Sequence, residues 1–114
     1  MKEYLLLLRG GRPTNTKTEE EGKAEMQAWG VYMGKLGQNG QLVGGFPLVS
    51  GGKVISASGN SDQPVNAAKE GIVGGYLIVK ADSLDAATAL AKDCPHLDND
   101  GNIEVREIAP MPGT

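Results

Sequence analysis

The sequence predicts an α+β fold, a ferredoxin-like antiparallel sheet with two helices on one face. The first observation is the order of the predicted elements, β-α-β-β-β-α-β, in which two helices are divided among several strands. The second is the length of 114 residues, which fits a single domain over residues 1–114. The third is the composition, because 39% hydrophobic and 22% charged residues are typical of a globular chain rather than a disordered one.

The first predicted strand, residues 2–9, is apolar on both of its alternating faces. A continuous apolar run of this kind is typical of a strand that is buried on both sides. Two helices packed on one face leave the other face of the sheet uncovered, and a second copy of the same sheet is the simplest cover. The sequence therefore predicts a homodimer.

The first helix is predicted from Thr18 to Leu36. Thr18 can cap it, and Glu21 follows three residues later, as in a capping box. Apolar residues recur at spacings of three and four and predict the buried stripe of this helix: Met26, Trp29, Met33 and Leu36. Gly37 and Gly40 are expected to end the helix.

Four further strands and a second helix are predicted. The strands cover residues 41–49, 53–58, 75–81 and 102–108. Pro47 marks the first of these as an edge or bulged strand. Asp82 or Ser83 caps the second helix, and Pro95 ends it. Residues 59–74 are predicted as a long loop, and a loop of this length in a small domain is often functional.

Charge and cysteine content exclude several classes of protein. The net charge of −3 argues against nucleic-acid binding, which usually needs a basic face. Cys94 is the only cysteine, so no intrachain disulfide can form, which fits a reducing compartment. No stretch approaches the ~20 apolar residues of a membrane-spanning helix, and the apolar run near the first residue is too short for a secretory signal. We expect a cytoplasmic protein without membrane or nucleic-acid partners.

Long segments of the chain resemble the YCII-related family, and within it the branch named for a DGPFAETKE motif. The similar segments are MKEYLLLLRGG, WGVYMGKLGQNGQLVGGFPL, GGYLIVKADSLDAATALAKDCPHL and IEVREI, which together cover nearly the whole chain. The resemblance implies a ferredoxin-like fold that pairs into a dimeric α/β barrel, in agreement with the homodimer inferred from the first strand. It also implies a dimer cleft with polar residues, on account of which relatives are described as possible enzymes, but it implies no particular reaction.

The naming motif is degenerate in this chain, where it corresponds to residues 62–70. Four positions match the motif: Asp62, Pro64, Lys69 and Glu70. Ala67 stands where the motif has its first glutamate. If that carboxylate has a chemical role in relatives, this chain lacks it.

His96 and Asp62 are the candidate catalytic pair. His96, the only histidine, can act as a general acid or base near neutral pH; the alternative is a loop histidine that bonds the last helix carbonyls. Asp62 can orient the imidazole across the cleft, or it starts a turn before Pro64. Lys69 and Glu70 are candidate ligand-binding residues that would contact and polarise an anionic ligand; the alternative is a solvated loop pair.

Metal and cofactor motifs are incomplete in this sequence. Residues 96–107 partly match the calcium loop of an EF-hand, but position 1 is His96 and the exiting segment alternates like a strand. One histidine and one cysteine fall short of the about four ligands that zinc needs. The glycine spacings do not match a phosphate-binding loop. We therefore expect neither a metal nor a cofactor.

Two functions remain open on the sequence. The first is a homodimer that binds a small organic molecule in a cleft, with metal-free acid/base catalysis by His96 and Asp62. The second is a non-enzymatic ligand-sensing or interaction module with a vestigial site, which the loss of the motif glutamate at Ala67 favours. The feature that separates them is whether Asp62 and His96 share one cavity.

Overall fold

The computed structural model describes residues 1–11, 17–49, 52–54, 57, 63–64 and 72–110. Within them the strands are β1 (Lys2–Gly10), β2 (Leu42–Pro47), β3 (Lys53–Val54), β4 (Gln63–Pro64), β5 (Val73–Ala81) and β6 (Gly101–Glu107). The helices are α1 (Glu19–Gln38), α2 (Leu84–Lys92) and a 3₁₀ helix at Pro95–Asn99. None of these helices is long and apolar enough to cross a membrane. The elements confirm the predicted α+β class.

Four of the strands form one antiparallel sheet in the order β2-β5-β1-β6. β1 lies inside the sheet, where Leu6 is opposite Leu77 of β5 and Val105 of β6. β2 pairs with β5 at an edge, and its register shifts between Leu42 and Gly44, so the predicted bulged edge strand is confirmed. Each α-helix connects two strands that are separated by a third, which is the ferredoxin-like split β-α-β arrangement.

Helix α1 begins with the predicted capping box. The Thr18 hydroxyl accepts a hydrogen bond from the Glu21 N–H, and the Glu21 carboxylate accepts one from the Thr18 N–H, both at 3.1 Å. These bonds satisfy backbone donors that have no partner within the helix. The helix ends at Gln38, and Gly40 follows with a φ of 67°, a left-handed conformation that glycine adopts without steric cost.

One face of the sheet and both α-helices share the hydrophobic core. The buried core residues are Tyr4, Leu6, Leu8, Tyr32, Leu36, Leu77, Val79, Ala81, Ala87, Ala91 and Cys94. Because strand side chains alternate, every second residue of β1 and β5 points into this core. The Tyr32 hydroxyl also donates a hydrogen bond to the Leu90 carbonyl oxygen at 2.9 Å, which joins α1 to α2.

The other face of the sheet carries apolar side chains that the two helices do not cover. Leu5 lies opposite Ile78, and Leu7 lies opposite Tyr76, and all four are partly exposed. Phe46 of β2 continues this surface beside Tyr76 and is 67% exposed. We call these five residues the open sheet face. Within one chain, therefore, only one of the two faces of β1 is buried, whereas the sequence predicts burial of both.

Charged residues of β6 border the open sheet face. Arg106 donates a hydrogen bond to the Glu104 carboxylate at 3.0 Å, and the Arg9 Nε lies 3.4 Å from the same group. The Arg106 hydrogen bond is the largest cause of the lowered pKa of Glu104. A lowered pKa in the folded state stabilises the protein above the unfolded pKa of glutamate, and this stabilisation is lost as the pH falls through the folded pKa.

Three predicted elements were wrong in their extent. Ala57 lies in a turn, so the strand predicted over residues 53–58 does not run to its end. The loop predicted over residues 59–74 contains β4, which pairs with β3, and β5 begins inside it at Val73. Helix α2 ends at Lys92, so it does not extend to Pro95 as predicted. Pro95 instead starts the 3₁₀ helix, because its fixed φ and missing N–H suit the first position of a helix.

Candidate functional site

An open groove of about 980 Å³ lies between the N-terminal half of α1 and the sheet. α1 buries only Tyr32 and Leu36, both in its second half, and its earlier residues are exposed or half-buried. Met26 lines the groove and is 78% exposed, so its predicted place in the core was wrong. Three residues of the predicted apolar stripe therefore line a groove, and only Leu36 is fully buried in the core.

Apolar and aromatic side chains form most of the groove wall. Trp29 and Met33 of α1 line it and also pack against the core, opposite Leu8 and Leu77 of the sheet. The Trp29 ring packs edge to face on Tyr32, with 6.0 Å between the ring centroids. Such contact with a buried ring holds the indole in place. The wall therefore presents an ordered aromatic surface to the groove.

Gly45 allows β2 to pass closely over β5 at the groove. Its φ is 156°, and a Cβ there would lie 2.4 Å from the Tyr76 carbonyl oxygen and 2.7 Å from a Leu77 methyl carbon. Distances this short are not tolerated between packed atoms. Any side chain at this position would push the two strands apart and change the shape of the groove.

His96 lines the groove from the 3₁₀ helix, with its ring held in a narrow slot. Its Nε2 lies 2.7 Å from the carbonyl oxygen of Arg9 at the end of β1. A Cβ at Gly101 would lie 2.2 Å from Nε2, and a Cβ at Gly11 would lie 3.2 Å from Cε1. A side chain at position 101 would therefore displace the ring, and one at position 11 would be in tight contact with it. The bonded carbonyl belongs to β1, so the alternative of a bond to the last carbonyls of the second helix was wrong.

An ion pair between Lys17 and Glu25 forms a charged part of the groove wall. The Lys17 ammonium donates to the Glu25 carboxylate, and the two side chains are 11% and 29% exposed. Both residues also line a second cavity of about 280 Å³ between α1 and the 3₁₀ helix. A more exposed pair, Lys23 with Glu19, lies along the same wall at 3.8 Å. The charges of this wall are therefore balanced.

Cys94 lies next to the site in sequence but is a core residue. Its side chain is 1% exposed. Burial raises the pKa of the Cys94 thiol to about 11, against a lowering effect of the His96 backbone N–H. The thiol is therefore protonated at neutral pH and is not a nucleophile of the site.

Of the four predicted site residues, His96 is the one that the structure describes. Asp62, Lys69 and Glu70 lie outside the described residues. The structure thus places the predicted acid/base residue in a groove, and the convergence of Asp62 with it stays a prediction.

Three features of the groove could not be predicted from the sequence. Trp29 was expected in the core, because helical periodicity does not distinguish an apolar face that meets the core from one that lines a groove. Lys17 and Glu25 are eight residues apart, a separation that is not among the short spacings used to predict side-chain pairs on a helix. The hydrogen bond of His96 to the Arg9 carbonyl could not be predicted, since every residue has a backbone carbonyl and the sequence does not indicate which one is bonded.

The described residues contain no group of three or more His, Cys, Asp or Glu placed to hold a metal ion. The partial EF-hand match has a simple structural explanation. Its first half forms the 3₁₀ helix, Asp100 adopts a left-handed turn with a φ of 61°, and β6 starts at Gly101. The segment that would be the exiting helix of an EF-hand is therefore a strand.

The profile of the YCII-related domain matches residues 4–112 of the chain. The chain belongs to the YCII-related family. This YCII-related protein is similar in structure to 5-chloro-2-hydroxyhydroquinone dehydrochlorinase (TftG) from Burkholderia phenoliruptrix AC1100, in its complex with 2,5-dihydroxybenzoquinone. The TM-score is 0.58 at 16% identity, over 96% of this chain and 95% of that one. At this identity the similarity concerns the fold alone. No curated protein matches the chain.

Proposed function

We propose that this YCII-related protein, as a member of the DGPF branch, binds a compact organic molecule in the groove between α1 and the sheet. The observation that carries the proposal is the groove itself, about 980 Å³ with an ordered indole in its wall. Ligand sites in proteins are mostly apolar clefts of roughly 300–1,000 Å³ with a few polar groups. A flat ring would pack between Trp29 and Leu8, with His96 and the Lys17–Glu25 pair as polar contacts.

Acid/base conversion of the bound molecule is the catalytic form of this proposal. His96 would move the proton, and Asp62 would orient the imidazole. Lys69 and Glu70 would contact the ligand from the same segment as Asp62. The reaction needs no metal or organic cofactor, because a proton transfer uses groups that the chain itself supplies.

The second candidate is a non-enzymatic ligand-sensing or interaction module with a vestigial site. One observation favours it: the hydrogen bond of the His96 ring goes to a backbone carbonyl, a contact that also has a purely structural use. Both candidates share the bound molecule and differ in whether that molecule is converted. Recovery of the ligand unchanged after prolonged incubation would favour the module.

Binding is tested with two matched variants of α1. Met26 and Val31 are both exposed, at 78% and 65%, and of the two Met26 lines the groove. Met26→Glu adds a negative charge to the groove, and Val31→Glu adds the same charge elsewhere on the helix. The chain has one tryptophan, so the single indole N–H signal of Trp29 in an NMR spectrum reports on the groove. The probes are 2,5-dihydroxybenzoquinone and benzoate.

We expect both probes to shift the Trp29 indole signal in a saturable way. Met26→Glu should weaken the binding of these acidic probes by about fivefold, which corresponds to roughly 1 kcal/mol. Val31→Glu should bind like the parent protein. Binding that is equally weakened in both variants, or an indole signal that neither probe moves, would contradict a ligand site in this groove.

We further propose that the protein is a homodimer that forms through the open sheet face. Leu5, Leu7 and Ile78 present apolar surface that the helices of their own chain leave partly exposed. A two-fold axis lets the same patch cover itself, so a second copy is a complementary partner. Stacking of two such sheets gives the dimeric α/β barrel implied by the family resemblance.

The dimer is tested by light scattering in line with size exclusion. We expect about twice the 11.9 kDa mass of one chain at micromolar concentration. Leu7→Lys should give a folded monomer, since a charge in the open sheet face opposes its burial. Val31→Lys serves as the control on the helix side and should remain dimeric. A parent protein that runs as a monomer would refute the barrel.

A further inference from the structure

Lys17 and Lys23 both line the groove, but they differ in their exposure to solvent. The Lys17 side chain is 11% exposed, whereas the Lys23 side chain is 76% exposed. Each lysine forms an ion pair with a glutamate of α1, Lys17 with Glu25 and Lys23 with Glu19. Salt and water screen an exposed charge much more than a largely buried one. Lys17 therefore exerts the stronger electrostatic attraction on a molecule in the groove.

The ammonium group of Lys17 can donate more hydrogen bonds than its ion pair uses. A lysine ammonium has three N–H donors and no acceptor. In the described part of the chain, the partner of this ammonium is the Glu25 carboxylate, which accepts one hydrogen bond from it. The carboxylate also limits the movement of the long lysine side chain. Lys17 thus presents further donors from a fixed position in the wall.

Glu25 holds this ammonium about one helical turn from Trp29. Residues four apart in a helix lie on the same face, with about 5–6 Å between their Cβ atoms, and Glu25 and Trp29 both line the groove. Gly22 lines the groove one turn before Glu25, and a Cβ there would meet no atom within 4 Å. The wall therefore combines an indole, a cation next to it and open space beside the cation.

We propose that Lys17 binds the carboxylate of an organic acid whose apolar part packs against Trp29. This inference rests on the proposed function, because it names the ligand class of the same groove. A carboxylate accepts strong hydrogen bonds from an ammonium, since both partners are charged. Lys17 is in this way the residue that makes the groove specific for an acid. Glu25 is a positioning residue, because it acts through the ammonium that it holds at the wall.

The other charges of the wall permit one bound carboxylate. The Glu19 carboxylate is 86% exposed and pairs with Lys23 at 3.8 Å, so solvent and its partner screen its repulsion of a bound acid. The Glu25 carboxylate is less exposed, and it competes with the acid for the positive charge of Lys17. Removal of the Glu25 charge should therefore strengthen the binding of an acid. A pair that serves only to stabilise the fold would not have this effect.

Benzoate and benzamide are the probes for this inference, because they have nearly the same shape and only benzoate is charged at pH 7. Binding is followed by the single indole N–H signal of Trp29. We expect the parent protein to bind benzoate about tenfold more tightly than benzamide. Equal affinities would overturn the role of Lys17 and leave the ligand site standing. An indole signal that neither probe moves would contradict the ligand site itself.

Two double variants each remove one ion pair and leave the net charge of the wall unchanged. The first combines Lys17→Met with Glu25→Gln, and the matched control combines Lys23→Met with Glu19→Gln. We expect the first variant to bind both probes with equal affinity. The control should retain the preference for benzoate, because its lysine is exposed and screened. A preference that the first variant keeps, or that both variants lose, would overturn the assignment to Lys17.

Glu25→Gln tests the inference in the opposite direction, by a gain of binding that an unfolded protein cannot imitate. It keeps the shape of the side chain and releases the Lys17 charge, so the affinity for benzoate should rise about threefold. Glu19→Gln changes the net charge equally at the exposed pair and should raise this affinity less. An unchanged or lower affinity in Glu25→Gln, or an equal rise in both variants, would overturn the inference.

Discussion

The hydroxyl of Tyr32 joins the two α-helices, and its removal is a quantitative test of how they pack. Tyr32 is 7% exposed, and its hydroxyl donates to the Leu90 carbonyl oxygen at 2.9 Å. Tyr32→Phe deletes this hydroxyl and keeps the ring, including its edge-to-face contact with Trp29. The perturbation is therefore the loss of one buried hydrogen bond.

The expected loss of stability follows from the remaining partners of the carbonyl. A buried acceptor without any partner costs about 1–3 kcal/mol, but the Leu90 oxygen also accepts the Asp93 N–H at 3.3 Å. The variant should therefore lose only the net value of a hydrogen bond, about 1 kcal/mol. For a domain of this size, that loss lowers the melting temperature by about 4 °C and the urea midpoint by roughly 0.5 M.

The same residue makes a prediction at alkaline pH. Burial raises the pKa of Tyr32, and the neighbouring Cys94 and Asp93 raise it further. A tyrosine in the unfolded chain ionises near pH 10, whereas folded Tyr32 stays protonated. Its contribution is thus fully present below about pH 10 and is lost as the pH rises towards the folded pKa. Tyr32→Phe should show a smaller loss of unfolding free energy above pH 10 than the parent.

The measurement is urea unfolding at fixed protein concentration, because a dimer makes stability concentration-dependent. Tyr76→Phe is the control, since its hydroxyl has no hydrogen bond to a described residue and its ring packs on Phe46. We expect that control to stay within about 0.5 kcal/mol of the parent. The helix-to-helix hydrogen bond would be refuted if Tyr32→Phe were as stable as the parent at pH 7 and lost the same unfolding free energy as the parent above pH 10.

Three further predictions concern single positions. Thr18→Ala removes the cap of α1 and should cost about 1 kcal/mol in urea unfolding, and a neutral result would show that the capping box does not stabilise the folded chain. Gly45→Ala should destabilise the protein by about 2 kcal/mol or more, because its Cβ would clash with the Tyr76 carbonyl oxygen. The control Gly34→Ala should be neutral or slightly stabilising, because its Cβ meets no atom within 4 Å. Equal effects of the two substitutions would contradict the close approach of β2 and β5. The raised thiol pKa of about 11 means that Cys94 stabilises the fold below about pH 9 and that this stabilisation is lost as the pH rises. Cys94→Ala should therefore lose less unfolding free energy than the parent between about pH 8 and pH 10.5. Parallel curves of unfolding free energy against pH for the two proteins would contradict this prediction.

Local features could be predicted from the sequence because their causes lie a few residues apart. The capping box needs only Thr18 and Glu21, and the alternation of β1 needs only its own residues. Gly40, which follows the end of α1 at Gln38, takes a left-handed conformation that the backbone freedom of glycine allows, whereas Gly37 lies inside the helix and does not end it. Strand extents were less predictable, because β3 and β4 are two residues long and exist only through their pairing with each other.

The groove could not be predicted, because periodicity gives a helix an apolar face without saying what that face meets. Trp29 and Met26 fit the same stripe as Leu36, but only Leu36 is buried in the core. The difference arises from the path of α1 over the sheet, which depends on the contacts of its second half with residues distant in sequence. One apolar stripe in the sequence therefore contributes residues both to the core and to the groove wall.

The sequence by itself determined the family, the α+β class and the presence of a single histidine. Only the tertiary structure decided what that histidine touches. His96 meets the Arg9 carbonyl across 87 positions of the chain, between two glycines that the fold brings to the same place. The physical reason is that a hydrogen bond to a backbone carbonyl depends on where two distant segments pack, and the identities of the side chains do not encode that meeting.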